Sequence, residues 1–351
     1  MLIVMKQGAS AEQIGAVCQR IREMGFVAHE IPGSMRTAIG ITGNQGPVSA
    51  ENFQDLPGIS DCVPVSKPYK LVSREVKPDS TVVEVRDARL GDGSLSIVAG
   101  PCSVESRDQV MRTAEAVAAS GAKWFRGGAF KPRTSPYQFQ GLKEEGLRLL
   151  EEVRNRFDLR TITEAKDTET LPAVAQCADV IQIGARNMQN YSLLEAVGRQ
   201  KKPVLLKRGM SATLQELFMA AEYVLSLGNY NVILCERGIR TFETATRNTF
   251  GLSAVVMMKR LSHLPVMADP SHGVGINWAV APLAMAALAV GADGVMIETH
   301  PDPKVALSDG QQSLTLEEYA RLAGEMKALA EWQKSRRAAA AVGSTAVLGG
   351  E

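Results

Sequence analysis

Several common signals are missing from this 351-residue chain, and each absence narrows what it can be. Its five cysteines, Cys18, Cys62, Cys102, Cys177 and Cys235, are odd in number, scattered and without CxxC spacing. That argues against a disulfide framework and for a reducing, cytoplasmic compartment. Neither sign of charge dominates: 39 Lys and Arg stand against 38 Asp and Glu, a net charge of +1. Without a basic excess, neither nucleic acid nor an anionic membrane is an expected partner. No apolar run reaches the roughly 18 residues of a membrane span. The Ala-rich stretch 278–291 is shorter, carries Pro282 and reads as a buried helix. The apolar run at residues 1–6 is too short for a secretory signal. No Gly-rich GxGxxG follows an apolar run, which weakens the case for an open doubly wound sheet.

What is present falls into two units, as the length suggests. In residues 1–66 the pattern reads strand (2–6), helix (10–25), strand (28–31), strand (37–42), helix (around 49–56) and strand (around 61–65). The first helix sets Ile14, Val17, Cys18 and Ile21 on one face, with Ser10 as N-cap and Gln13 three positions on. The order βαββαβ predicts a small α+β ferredoxin-like domain. Residues 67–94 mix charge, Pro and Gly, and read as a linker with a short hairpin around 81–85. From 95 to 335, eight apolar runs alternate with helical segments near 106–120, 142–157, 167–177, 190–199, 211–227, 251–261, 278–290 and 315–332. Apolar strands buried on both faces belong to parallel sheets, and eight β–α pairs over about 240 residues predict a (β/α)8 TIM barrel. The Ala/Gly-rich tail 336–351 is expected to be flexible.

Nearly every apolar run of the barrel ends in a residue capable of chemistry. A closed barrel gathers such ends at one face, where enzymes of this fold keep their active sites. Cys102 follows the first run, His272 the seventh, Glu298 ends the eighth, and Asp309 lies in the loop after it. Runs seven, eight and one are neighbours in a closed barrel, so these four side chains can meet. A thiolate, an imidazole and two carboxylates suit a divalent ion of the Mn, Fe, Co or Zn type better than Mg or Ca. Taken singly, Cys102 fits a small core residue and Asp309-Gly310 a turn.

Runs two, four, five and six contribute cations: Arg126, Lys131, Arg133, Arg186, Lys207, Arg208 and Arg237. That many in one mouth imply a ligand with more than one phosphate or carboxylate. Arg208 and Arg240 are the expected surface exceptions. The loop from Lys131 to Gly141 is stiffened by two prolines, and Lys131, Arg133, Thr134 and Ser135 form a compact phosphate-binding array.

The motifs Gly100-Pro-Cys-Ser103, Lys131-Pro-Arg-Thr-Ser135, Gly184-Ala-Arg-Asn187, Leu206-Lys-Arg-Gly209, Cys235-Glu-Arg-Gly238, Asp269-Pro-Ser-His-Gly273 and Ile297-Glu-Thr-His-Pro301 run in order through residues 95–330. Together they resemble 3-deoxy-D-arabino-heptulosonate 7-phosphate (DAHP) synthase, of the short type I-beta kind with an N-terminal ferredoxin-like regulatory domain. The resemblance implies condensation of phosphoenolpyruvate with erythrose 4-phosphate and water, releasing phosphate, as the entry step of the shikimate pathway to chorismate and the aromatic amino acids. It implies Cys102, His272, Glu298 and Asp309 as ligands of one divalent metal ion, with no organic cofactor. Arg126, Lys131, Arg186, Lys207 and Arg237 would surround phosphoenolpyruvate. Arg133 and Thr134, with Ser135 nearby, would hold the erythrose 4-phosphate phosphate. Lys131, Cys102 and His272 are the expected catalytic residues. It further implies feedback inhibition by an aromatic amino acid at the N-terminal domain, and a homotetramer. Glu164, Asp269 and His300 line the same mouth without an assigned step. The competing reading is 3-deoxy-manno-octulosonate 8-phosphate synthase, which takes arabinose 5-phosphate and resembles a Lys-Ala-Asn-Arg pattern where this chain has Lys131-Pro-Arg-Thr. A barrel that only binds phosphosugars is a third.

Overall fold

The structure is a computed structural model. It describes residues 1–33, 36–44, 46–63, 68–132, 135 and 137–346, with side chains as far as Arg336.

The N-terminal unit comprises β1 (Leu2–Met5), α1 (Ala11–Glu23), β2 (Val27–Pro32), β3 (Thr37–Thr42), a single 3-10 turn (Ala50–Phe53) and β4 (Ile59–Val63). The strands form an antiparallel sheet in the order β2-β3-β1-β4, as a ferredoxin-like unit requires. The expected capping box starts α1: Ser10 Oγ accepts from the Gln13 N–H at 3.2 Å, and Gln13 Oε1 accepts from the Ser10 N–H at 3.1 Å. Val17, Cys18 and Ile21 then bury against Ile3, Met5, Ile39 and Ile41. The helix expected at 49–56 is only the 3-10 turn. Pro57 and Gly58 follow too soon for an α-helical nucleus to extend. The last strand ends at Val63; residues 64 and 65 of the expected strand lie outside the described residues.

A hairpin follows, β5 (Val83–Val85) and β6 (Ala88–Leu90), displaced from the expected 81–85. Its alternating Val83, Val85, Ala88 and Leu90 join Val98, Trp124, Ile162, Val180, Leu205, Ile233, Met267 and Met296 in one core cluster. The hairpin thus plugs the end of the barrel where the strands begin. Asp87 at its turn pairs with Lys123 and Arg160, residues at the starts of two strands.

The barrel strands are β7 (Ser96–Gly100), β8 (Trp124–Arg126), β9 (Arg160–Glu164), β10 (Val180–Ile183), β11 (Val204–Lys207), β12 (Val232–Glu236), β13 (Val266–Ala268) and β14 (Gly294–Glu298). All pair in parallel and close through β14 and β7. The helices between and after them are α2 (Arg107–Ala119), α3 (Glu144–Phe157), α4 (Leu171–Cys177), α5 (Tyr191–Gly198), α6 (Leu214–Ser226), α7 (Leu252–Leu261), a short α8 (Pro270–Val274), α9 (Asn277–Ala289) and α10 (Leu316–Ala346). α10 continues past the expected end near 332 and through most of the tail expected to be flexible. Ala338–Ala341, the strongest of helix formers, lie in that extension.

Residues 68–82 strap the two units together. Glu222 on α6 accepts the backbone N–H groups of Lys70, Leu71 and Val72 at 3.0, 2.9 and 3.1 Å. Leu2, Ile31 and Ala38 from the sheet share a core with Tyr69, Leu71 and Val76 of the strap and with the barrel helices. Among the described residues, no helix is long and apolar enough to cross a membrane.

Candidate active site

Gly100 ends β7 at φ 151°, and a Cβ there would lie 1.9 Å from the Arg126 carbonyl oxygen. Only glycine permits that approach, and the turn it makes delivers Pro101 and Cys102 to the mouth. His272 stands on α8, whose N-cap Asp269 accepts the His272 N–H at 3.0 Å. Glu298 closes β14 and is fully buried. Asp309 sits in the following loop in the left-handed region, φ 50°, rare for a residue with a Cβ. One ligating atom from each of these four residues lies within 4.8 Å of the other three.

The donor set fits a divalent cation. The Cys102 thiol donates to Asp309 Oδ2 at 3.1 Å, and His272 Nε2 stands 3.2 Å from Glu298 Oε1. Asp269 Oδ2 accepts a hydrogen bond from His272 Nδ1–H at 2.7 Å, which leaves Nε2 free to ligate. Burial, reinforced by Glu298, pushes the Cys102 thiol up to about 12, against the nearby Lys131 ammonium. Burial also opposes ionisation of Glu298 and Asp309, but the neighbouring guanidinium groups, Arg126 at the first and Arg247 at the second, hold both carboxyls below their ordinary range. Burial keeps the His272 imidazole below its usual value, in the neutral form a metal requires. A divalent cation would supply the positive charge that the thiolate lacks.

Beside the cluster is a cleft of about 90 Å³ lined by Arg126, Lys131, Arg186, Lys207, Arg237 and Arg247, with Glu164, Gln182 and Asp309 among them. Two larger hollows, about 620 and 520 Å³, lie at the hairpin end around residues 92–95; their lysines and Arg89 are interspersed with Asp87, Asp92, Asp293 and Glu331. Five of the cations are those expected from the strand ends. Arg133 and Thr134 lie outside the described residues. Ser135 is not part of the cleft wall, and its hydroxyl accepts the Tyr137 N–H at 3.4 Å. Arg208, expected at the surface, is instead buried and ion-paired with fully buried Glu236 at 2.9 Å. Next to Lys207 on the chain but outside the cleft wall, its side chain is buried where the Glu236 charge offsets its desolvation. Arg240 is exposed as expected.

The metal corner and the cation wall are not separate. Arg126 Nη1 donates to Glu298 Oε1 at 2.7 Å, and Lys131 Nζ to Cys102 Sγ at 3.0 Å. Lys207 Nζ donates to Asp269 Oδ2 at 2.6 Å, the oxygen that also receives His272. The buried Arg126 Nε and Arg237 Nη1 have no hydrogen-bond partner among the described residues. An anion in the cleft would satisfy such donors. Sequence reasoning missed Arg247, whose Nη1 donates to Asp309 Oδ1 at 3.3 Å and to Gln312 Oε1 at 2.8 Å. It also missed Gln312, which donates to Glu298 Oε2 at 2.6 Å. Arg247 lies in the loop after β12 and Gln312 in a 3-10 turn (Gly310–Gln312) well past the end of β14, where strand periodicity carries no signal.

A closed parallel barrel with sulfur, nitrogen and carboxylate donors beside a cation-lined cleft defines a class: a (β/α)8 enzyme built for anionic substrates. Residues 74–335 match the DAHP synthetase I family, and residues 1–67 match the DAHP synthase ferredoxin-like domain. The phospho-2-dehydro-3-deoxyheptonate aldolase of Thermotoga maritima is 49% identical over 331 residues, 94% of this chain and 98% of the relative. Its crystal structure superposes with a TM-score of 0.76 at 48% identity, covering 95% of this chain and 97% of that one. A 2-dehydro-3-deoxyphosphooctonate aldolase of Magnetococcus marinus is 32% identical over 263 residues, 70% of this chain and 90% of the relative. The chain belongs to the DAHP synthetase I family and is an enzyme of that family.

Proposed function

We propose that this enzyme condenses phosphoenolpyruvate with erythrose 4-phosphate and water to give DAHP and phosphate, using one divalent ion of the Mn, Fe, Co or Zn type held by Cys102, His272, Glu298 and Asp309. The observation that carries the reading is the convergence of four ligating side chains within 4.8 Å of one another on a wall of cations. Near-complete coverage by a 49% identical heptonate aldolase supports the same acceptor.

In this reading Arg126, Lys131, Arg186, Lys207 and Arg237 hold the phosphate and carboxylate of phosphoenolpyruvate, with Lys131 spanning the two halves of the site. Arg133 and Thr134, with Ser135 nearby, take the phosphate of the aldose. Two polyanions repel each other, so fixing both at reacting distance supplies much of the orientation advantage. The bound ion would supply Lewis-acid polarisation of the aldehyde oxygen. The enol carbon then attacks the aldehyde carbon, water adds to the adjacent carbon, and C–O cleavage expels phosphate.

Assaying product from erythrose 4-phosphate and from arabinose 5-phosphate, with metal analysis, tests the proposal. Turnover with the four-carbon aldose is expected; preference for arabinose 5-phosphate would transfer the chain to the octulosonate reaction. Cys102→Ala should lose bound metal and activity by more than the roughly 10–100-fold of an outer-shell loss, with an unchanged circular dichroism spectrum. Unfolding of that variant would make the thiol a packing residue. The N-terminal unit, in the same reading, binds an aromatic amino acid that inhibits the barrel.

A further inference from the structure

His300 and Glu105 lie at the rim of the site, and the reaction as derived uses neither. His300 follows β14 by two residues and is buried; Glu105, in the loop between β7 and α2, is nearly so. His300 Nδ1 accepts the Asp302 N–H at 3.0 Å, so the ring proton resides on Nε2 and faces Glu105 Oε2 at 3.4 Å. The other oxygen of Glu105 accepts the N–H of Leu307 at 2.9 Å. One residue further on, the hydroxyls of Ser308 and Ser103 lie 2.5 Å apart. The next residue is Asp309, held at φ 50° with its carboxylate on the Cys102 thiol.

The loop leading to Asp309 is therefore tied at three points, Asp302, Leu307 and Ser308, to residues flanking Cys102 and Glu298 in sequence. The left-handed conformation of Asp309 is uncommon for a residue with a side chain, so contacts that hold the loop help to fix it. From the other side Arg247 reaches its carboxylate, at 3.3 Å.

We propose that Glu105 and His300 are positioning residues for Asp309: together they fix the loop that presents this carboxylate to the metal cluster. The inference rests on the reading of the four-residue cluster as a metal site. Carboxylate and imidazole suit the task because the carboxylate accepts from two directions at once, while the imidazole accepts on one nitrogen and donates on the other. Neither touches the cation wall, so their loss should act on the metal and not on the anion.

Cobalt(II) titration of the full chain, followed by its sulfur-to-metal charge-transfer absorption and by chelator competition, tests this. Glu105→Ala and His300→Phe should each weaken cobalt binding by about 10–100-fold, the range for residues that orient metal ligands. KM for phosphoenolpyruvate should hold within about twofold. Glu105→Gln, which keeps one carbonyl acceptor, should recover part of the affinity. Cobalt affinity unchanged in both variants overturns the proposal, as does a fall in thermal stability with unaltered affinity. If Glu105→Ala does not fold, Ser308→Ala and Glu105→Gln carry the test: weaker cobalt binding in either supports the strut, and parental affinity in both overturns it. Absence of the charge-transfer band in the parent enzyme, with Cys102→Ser indistinguishable from it, would instead remove the metal reading itself.

Discussion

Asp269 is the residue at which the metal corner and the anion wall meet. Its Oδ2 receives both His272 Nδ1 and Lys207 Nζ, and its Oδ1 caps α8 through the His272 N–H. Burial opposes its ionisation, but His272 and Lys207 hold the carboxyl well below the usual range. Asp269→Asn would remove the charge that keeps the imidazole proton on Nδ1. Metal affinity should fall by about 10–100-fold, read by chelator competition, with the amide's similar volume preserving the fold. Parental affinity in this variant would show that α8 alone aims His272. Cys102, His272 and Glu298 were legible in the sequence because strand ends carry them. The role of Asp269 was not, since it depends on a lysine 62 positions away on another strand.

Among the elements, the strap and the hairpin decide how the barrel is completed. His263, between α7 and β13, hydrogen-bonds the strap at both ring nitrogens: Nδ1 with Thr81 Oγ1 at 2.8 Å and Nε2 with the Leu71 carbonyl at 2.7 Å. Burial pushes this imidazole down to about 4, the bond to Leu71 working against it and Lys77 and Arg74 working with it. The folded protein thus resists a proton that the unfolded chain takes up near pH 6.5. The neutral ring's contribution is complete above about pH 6.5 and is lost as the pH falls toward 4, by roughly 2 kcal/mol between pH 7 and pH 5. Urea unfolding at the two pH values checks this against His263→Gln, in which the drop should shrink; an equal drop in both would place the sensitivity elsewhere. The hairpin shows a different limit of sequence reading. Its four apolar residues alternate as any exposed-edge hairpin would, and nothing local says that they plug a barrel.

At the scale of the whole molecule, the N-terminal sheet is joined to the barrel through a shared core. Lys70 reaches back to the Ile41 carbonyl and Asn44 Oδ1, while its backbone is held by Glu222 on α6. His29 on β2 meets the Tyr230 hydroxyl at 3.3 Å. If the N-terminal unit is the effector module, residues 67–351 alone should retain catalysis and lose inhibition by an aromatic amino acid. Initial rates with tyrosine or phenylalanine added to both forms provide the check. Inhibition that survives truncation would move the effector to the barrel. The fragment should also unfold at lower temperature, because Tyr69, Leu71 and Val76 would lose the cover of Leu2, Ile31 and Ala38.

The amino-acid sequence by itself determined the barrel, its eight strands and the identity of the side chains at their ends. Period and burial on both faces of a parallel strand are written locally, and so is the Gly-Pro that turns Cys102 toward the mouth. Only the tertiary structure decided how those side chains share work. It buried Arg208 against Glu236, tied Lys207 to Asp269, and brought Arg247, Gln312 and Glu105 to the metal corner from loops without periodicity. The physical reason is that such pairings arise from closure of the barrel, which sets residues up to about 200 positions apart within hydrogen-bonding distance, and no local pattern encodes that distance.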